Sequence, residues 1–105
     1  MTNPPRTGVD LADLVVASVT AVPGVAAMHP GSFGEAATYL PGRRVLGVQL
    51  RDDGAEVHVT LAWGADVLST ADAVRTAARA VVDRPVHVVV EDVLVPLGTG
   101  TAVDR

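Results

Sequence analysis

The sequence predicts one small α+β domain, a mixed and mostly antiparallel sheet with two helices packed on one face, in the order α-β-β-β-α-β. The length of 105 residues suits a single domain. Two segments place apolar residues at helical spacing, and the segment between them alternates apolar and polar residues as a half-buried strand does. We expect this domain over residues 9–96, with a disordered segment at residues 1–8 and a flexible tail at residues 97–105.

Helical spacing of apolar residues predicts both helices. The first follows the Pro-rich start of the chain and ends at Pro23-Gly24, and the second covers residues 67–82. Each helix is expected to bury its apolar stripe against the sheet. The stripes comprise Leu11, Leu14, Val15, Ser18 and Val19 in the first helix, and Leu68, Ala71, Val74, Ala78 and Val81 in the second.

The strands before the second helix are predicted from alternation and turn residues. Residues 45–51 and 55–63 alternate regularly, and the Asp-Asp-Gly at residues 52–54 is typical of a hairpin turn. Residues 25–29 and 35–40 are shorter and weaker strand candidates, of which the predicted order counts one. The regular alternation predicts that one face of the hairpin is buried and that the other faces water.

The last strand, residues 86–95, is the most apolar segment of the chain. Its run of valines predicts a strand that is central or covered on both faces. Because it follows the second helix, a right-handed crossover can place it parallel to the strand before that helix, and its position and direction in the sheet stay open at this point. Asp92 interrupts the valines, which indicates a β-bulge or the point where the strand leaves the core.

Composition excludes several classes of chemistry. The chain has no Cys, so it contains no disulfide, thiolate metal site or cysteine nucleophile. All eight basic residues are Arg, and the absence of Lys excludes Schiff-base and P-loop lysine chemistry. The net charge of −4 and the aromatic content of 3% disfavour nucleic acid as a partner.

Hydropathy predicts a cytoplasmic protein without direct membrane insertion. No apolar run approaches the roughly 20 residues that a spanning helix needs. Residues 1–8 lack the apolar segment of a signal peptide. Association with a membrane would therefore require a partner.

The three histidines are the candidates for ligand chemistry. His58 and His87 fall on the polar faces of predicted strands, and His29 ends the first short strand. One interpretation is a metal-binding or small-ligand-binding regulatory domain; the other is exposed residues on a solvated sheet face. The histidines lack the local spacing of a metal motif, and no other motif is catalytic. We therefore predict no catalytic residue, cofactor or metal ion.

Five residues are candidates for protein–protein contact. Arg43-Arg44 is the only adjacent basic pair, and it follows the turn at Pro41-Gly42. Trp63 is the only tryptophan, and at the end of a strand it is either a core or rim anchor or an interface hot spot. His58 and His87 complete the set. A sheet of few strands also has edges that can pair with another chain.

Several short segments follow one another in a characteristic order along residues 11–95. They are VPGVA at residues 22–26, VLGVQL at residues 45–50, EVHVTL at residues 56–61, Trp63-Gly64, Val74-Arg75 and VHVVVEDV at residues 86–93. In this order they resemble the alkaline-shock, or envelope-stress-response, protein family of Gram-positive bacteria, and residues 29–44 resemble the insert of a short actinobacterial variety.

The resemblance implies a non-enzymatic stress-response protein in cell-envelope homeostasis. Such a protein self-associates or docks on a small membrane-anchor protein, at the inner face of the cell membrane. No catalytic residues are known for the family, so none is carried over to this chain.

Overall fold

The computed structural model describes the backbone of residues 8–95 and the side chains of residues 11–95. The α+β class, the two helices and the mostly antiparallel pairing are confirmed. The predicted tail at residues 97–105 and residues 1–7 of the predicted disordered segment lie outside the described residues, whereas Gly8, the last residue of that segment, belongs to the first helix. The elements run α1 (Gly8–Thr20), β1 (Val25–Met28), β2 (Ala37–Leu40), β3 (Arg43–Leu46), β4 (Val48–Arg51), β5 (Gly54–Ala62), α2 (Val67–Arg79) and β6 (Val86–Leu94).

Strand β5 is the centre of a four-stranded sheet. Along one edge it pairs in parallel with β6, from Ala55↔Val86 to Ala62↔Leu94. The other edge is divided between β4 and β1, both antiparallel. His58 shows this division, because its N–H donates to the Gly47 carbonyl and its own carbonyl accepts from the His29 N–H. The direction of the last strand, which the sequence left open, is therefore parallel to β5.

Gly47 separates what the sequence predicted as one strand into β3 and β4. Its φ of +86° is a left-handed conformation that favours glycine. A Cβ at this position would lie 2.8 Å from the Met28 Cβ and 3.1 Å from the His58 carbonyl oxygen. Strand β3 pairs with β2 in a separate two-stranded sheet, so five strands lie between the helices instead of three.

Both helices cover the same face of the four-stranded sheet. Their buried side chains join those of the sheet in one hydrophobic core. Two residues of the predicted apolar stripes, Leu14 and Leu68, are exposed instead of buried, at 50% and 82%. In the first turns of α2 the buried side chain is Thr70 instead, which packs against Gly24. The core comprises Ala12, Val15, Val19, Val45, Val48, Ala55, Val57, Val59, Leu61, Val74, Ala78, Val82 and Val86.

Strand β6 lies at an edge of the sheet, so the prediction of a central or doubly covered strand is wrong. Within residues 8–95 it pairs with β5 alone. Its valines are tolerated there because α2 packs over the core-facing ones. The predicted irregularity near Asp92 is confirmed: Val90 and Asp92 pair with successive residues of β5, which leaves Glu91 as the extra residue of a bulge.

Candidate functional site

A row of polar side chains crosses the sheet face opposite the helices. The alternation of β5 turns Ala55 and Val57 toward the helices, and it turns Glu56 and His58 to the other face. We call the connected side chains on that face the polar row. The polar row consists of Glu91 on β6, Glu56 and His58 on β5, and Gln49 and Arg51 on β4.

His58 lies at the centre of the polar row, between two carboxylates. Its Nδ1 is 2.7 Å from Glu91 Oε2, and its Nε2 is 3.0 Å from Glu56 Oε1. The imidazole is only 8% exposed, which disagrees with the interpretation of a solvated strand histidine. Alternation along β6 explains the first contact, because Glu91 lies on the same face as His87 and Val89, which pair with Glu56 and His58.

Two carboxylate partners favour the imidazolium form of His58. Only the protonated ring donates from both nitrogens, whereas a neutral ring would turn a lone pair toward one carboxylate. Burial acts to lower the pKa of His58, but the hydrogen bonds to Glu91 and Glu56 outweigh it and raise the pKa above its ordinary value. The hydrogen bond to His58 lowers the pKa of Glu56, and Arg51 lowers it further, against the effect of burial.

The polar row continues across β4 to the loop before β2. Arg51 Nη1 donates to Glu56 Oε2 at 3.2 Å, and its Nη2 donates to Gln49 Oε1 at 3.1 Å. Gln49 Nε2 donates to the Glu35 carbonyl oxygen at 3.0 Å. Hydrogen bonds therefore connect β6, β5, β4 and the loop. Both ring nitrogens of His58 take part in these hydrogen bonds, so His58 is suited to hold β5 and β6 together.

The three histidines do not form a common site. His29 Nδ1 accepts a hydrogen bond from the Gly31 N–H at 2.9 Å, and His87 is exposed, paired across the strands with Glu56. His58 itself pairs with Val89, on the neighbouring strand. Within the part of the chain that the structure describes, no group of three His, Cys, Asp or Glu residues is placed to hold a metal ion.

The two arginines of the predicted contact set lie on the β2–β3 hairpin in different environments. Arg43 donates to both carboxylate oxygens of Asp13 in α1, at 3.2 and 2.7 Å, and ties the hairpin to that helix. The hydrogen bond from Arg43 lowers the pKa of Asp13. Arg44 is exposed and pairs across the hairpin with Tyr39. Arg43 thus has a structural partner within the chain.

Trp63 lies at the end of the molecule where β5 and β6 both finish. It is 62% exposed, so it is not a core anchor. Ala62 pairs with Leu94, which brings Trp63 and Val95 out of the sheet together, and α2 begins four residues after Trp63. Several exposed apolar side chains share this location, which we call the apolar end. The apolar end consists of Trp63, Val67, Leu68, Leu94 and Val95.

A polar depression of about 370 Å³ lies at the opposite end of the sheet. It is lined by the β4–β5 turn and the start of β6, and its charged side chains include Arg51, Asp53 and Glu56. His87 also borders it. Ala55, Pro85 and Val86 complete the lining, and the depression lies away from the apolar end.

Sequence reasoning missed the partners of His58. Glu91 is a charged residue inside a valine run, and Glu56 precedes His58 by two residues on the same strand face. Those two signals point to a polar cluster on the open face. The contact itself depends on the register of β5 against β6, which brings together residues 33 positions apart.

Comparisons with known proteins leave the family open. No protein-family model, no curated protein and no solved structure matches the chain. The resemblance to envelope-stress-response proteins therefore stays a prediction. Among residues 8–95, neither helix has the length and apolar character needed to cross a membrane.

Proposed function

We propose that the chain is a non-enzymatic interaction protein of the cell-envelope stress response. In this function it self-associates and docks, by its apolar end, on a small membrane-anchor protein at the inner face of the membrane. The observation that carries the proposal is the exposure of Trp63, just after the end of β5, and of Leu68, in the first turn of α2. The motif order supports the physiological setting.

The apolar end has the composition of a contact surface. Tryptophan is enriched among the residues that dominate binding energy, and exposed leucines beside it add apolar area that docking would remove from water. Truncating such a side chain typically weakens a complex by about 2 kcal/mol or more, roughly 30-fold in Kd. Docking on the polar row would bring no comparable gain in binding free energy, because its charged side chains already have partners within the chain.

Charge favours a protein anchor over the lipid surface itself. The chain carries a net charge of −4, so the anionic inner leaflet repels it. The cytoplasmic flanks of membrane-spanning helices are rich in Lys and Arg, which attract an acidic partner. A short anchor protein with an apolar, basic juxtamembrane segment therefore fits both the apolar end and the overall charge.

Sedimentation of the purified full chain with host membranes tests this proposal. We expect saturable binding that is lost when protease removes the exposed protein from the membranes, and no binding to vesicles of host lipid. Trp63→Ser should weaken binding about tenfold or more. Tyr39→Ser is the matched control, since Tyr39 is an aromatic residue of similar exposure, 66%, on the β2–β3 hairpin.

Two results would overturn docking on a protein anchor. One is equal binding to intact and protease-treated membranes, which would indicate lipid as the partner. The other is a Trp63→Ser variant that binds as tightly as the unaltered chain, which would show that the apolar end is not the docking surface.

A further inference from the structure

The outer edge of β6 presents unpaired backbone groups in a regular pattern. The Ala55 N–H donates to the Pro85 carbonyl while Ala55 is aligned with Val86. In a parallel ladder this assigns the amides of His87 and Val89 to β5, and it turns those of Val86, Val88 and Val90 outward. Within residues 8–95 no strand pairs with that edge.

We propose that this edge pairs antiparallel with the same edge of a second copy of the chain, about a two-fold axis. The pairing joins two four-stranded sheets into one continuous sheet. It rests on the proposed function, whose self-association it assigns to a definite surface. Because the contact is isologous, it uses the edge of both copies and closes at the dimer.

The side chains of β6 suit a strand that continues into another. Val88 and Val90 face the core but are only half-buried, because the sheet and its covering layer stop at this edge. A second β6 alongside would place its own core-facing valines beside them and remove them from water. Residues 86–90 also lack the usual protection of an edge, since they contain no Pro, no Arg and no bulge.

Charge on the opposite face favours a second copy in antiparallel orientation. His87 lies near the start of β6, whereas Glu91 and Asp92 lie near its end. Antiparallel pairing brings His87 of each copy toward the acidic pair of the other, where an imidazole N–H can donate to a carboxylate. Parallel pairing in register would place the acidic pairs side by side, which is unfavourable.

Amide hydrogen exchange on the ¹⁵N-labelled full chain tests the pairing without any substitution. Sedimentation velocity first locates the concentration range in which the chain dimerises. In the monomer the amides of His87 and Val89 should be protected and those of Val88 and Val90 should exchange freely. In the dimer we expect all four to be protected. A dimer in which Val88 and Val90 still exchange freely, or protection of both at every concentration, would overturn the inference.

A pair of variants at one position separates the backbone from the side chain. Val88→Pro removes an outward N–H that β5 does not use, and edge strands tolerate proline there. We expect it to weaken dimerisation at least tenfold. Val88→Ala trims the side chain but keeps the N–H, so it should weaken dimerisation less than Val88→Pro does.

Trp63→Ser distinguishes failure of this inference from failure of the proposed function. It should dimerise normally. If it abolishes the dimer while Val88→Pro does not, the edge inference is wrong and self-association belongs to the apolar end. If the unaltered chain is monomeric at every concentration, both the edge pairing and the proposed self-association fail.

Discussion

The polar row and the apolar end both include residues of β5 and β6 or next to them. They differ in whether their side chains have partners within the chain. On the open face of β5 and β6, His58 and its carboxylates satisfy one another within the chain. Where the two strands finish, Trp63 and Leu94 remain exposed with no comparable cover. The first region is complete as it stands, whereas the second gains by binding something else.

This contrast assigns different roles to residues of similar appearance in the sequence. His58 lies on β5 and Trp63 follows directly after it, and both side chains are large rings. Burial and charge pairing make His58 a structural residue whose loss affects folding. Exposure makes Trp63 a residue whose loss affects association. The effects expected below follow from that division, from the largest to the smallest.

The largest loss of stability is expected from a substitution at Gly47, which lies between β3 and β4 and positions the β4 residues of the polar row. Gly47→Ala forces an alanine into a left-handed φ and puts its Cβ against Met28 and the His58 carbonyl. We expect a loss of about 3 kcal/mol in the free energy of unfolding, measured by urea denaturation. Gly42→Ala is the control, with a φ of +77° and open space around its Cβ.

The control should cost only about 1 kcal/mol, from the backbone conformation alone. Equal losses for the two variants would show that the contacts around Gly47 do not position β4.

His58→Gln should remove the centre of the polar row. It leaves two partly buried carboxylates without their shared cation, and we expect a loss of about 2 kcal/mol in unfolding free energy near pH 6. His87→Gln, an exposed residue on the same face, is the control and should change stability by less than about 0.5 kcal/mol. Similar losses for both variants would contradict the structural role of His58.

The pH dependence of stability should carry the signature of this cluster. The folded state raises the pKa of His58, so its stabilisation is fully present below the ordinary value of about 6.5 and is lost as the pH rises through the raised pKa. Glu56 acts in the opposite sense, because its pKa is lowered and its stabilisation is lost in acid. Urea denaturation from acidic to alkaline pH should show that the free energy of unfolding declines as the pH rises through the raised pKa of His58.

His58→Gln should flatten that alkaline decline. A slope that persists unchanged in the variant would mean that another group titrates with folding.

The smallest effect is expected for the ion pair between Arg43 and Asp13. Both side chains are about half-exposed, so solvent screens the attraction. A double-mutant cycle with Arg43→Gln and Asp13→Asn should give a weaker coupling than the contacts of the polar row do, and added salt should reduce it. A coupling that is large and insensitive to salt would show that the hairpin depends on this contact as strongly as the sheet depends on the polar row.

Local periodicity was sufficient to predict the helices and most strands, because each depends on neighbours in sequence. It could not determine the direction of β6, which depends on the path of the connection through α2. It could not reveal the break at Gly47, since apolar alternation continues through a residue of positive φ. Nor could it show that β6 is an edge strand, because a valine run is the same whether or not a further strand pairs with it. The pairing of His58 with Glu91 depends on strand register, which no local pattern contains.

The most direct test of the division between the two regions compares two variants in one assay. The membrane-bound fraction of His58→Gln and of Trp63→Ser would be measured in the cold, where both remain folded by circular dichroism. We expect His58→Gln to bind like the unaltered chain despite its lower stability, and Trp63→Ser to lose binding while keeping its stability. Loss of binding in folded His58→Gln, with binding retained in Trp63→Ser, would contradict the assignment of association to the apolar end.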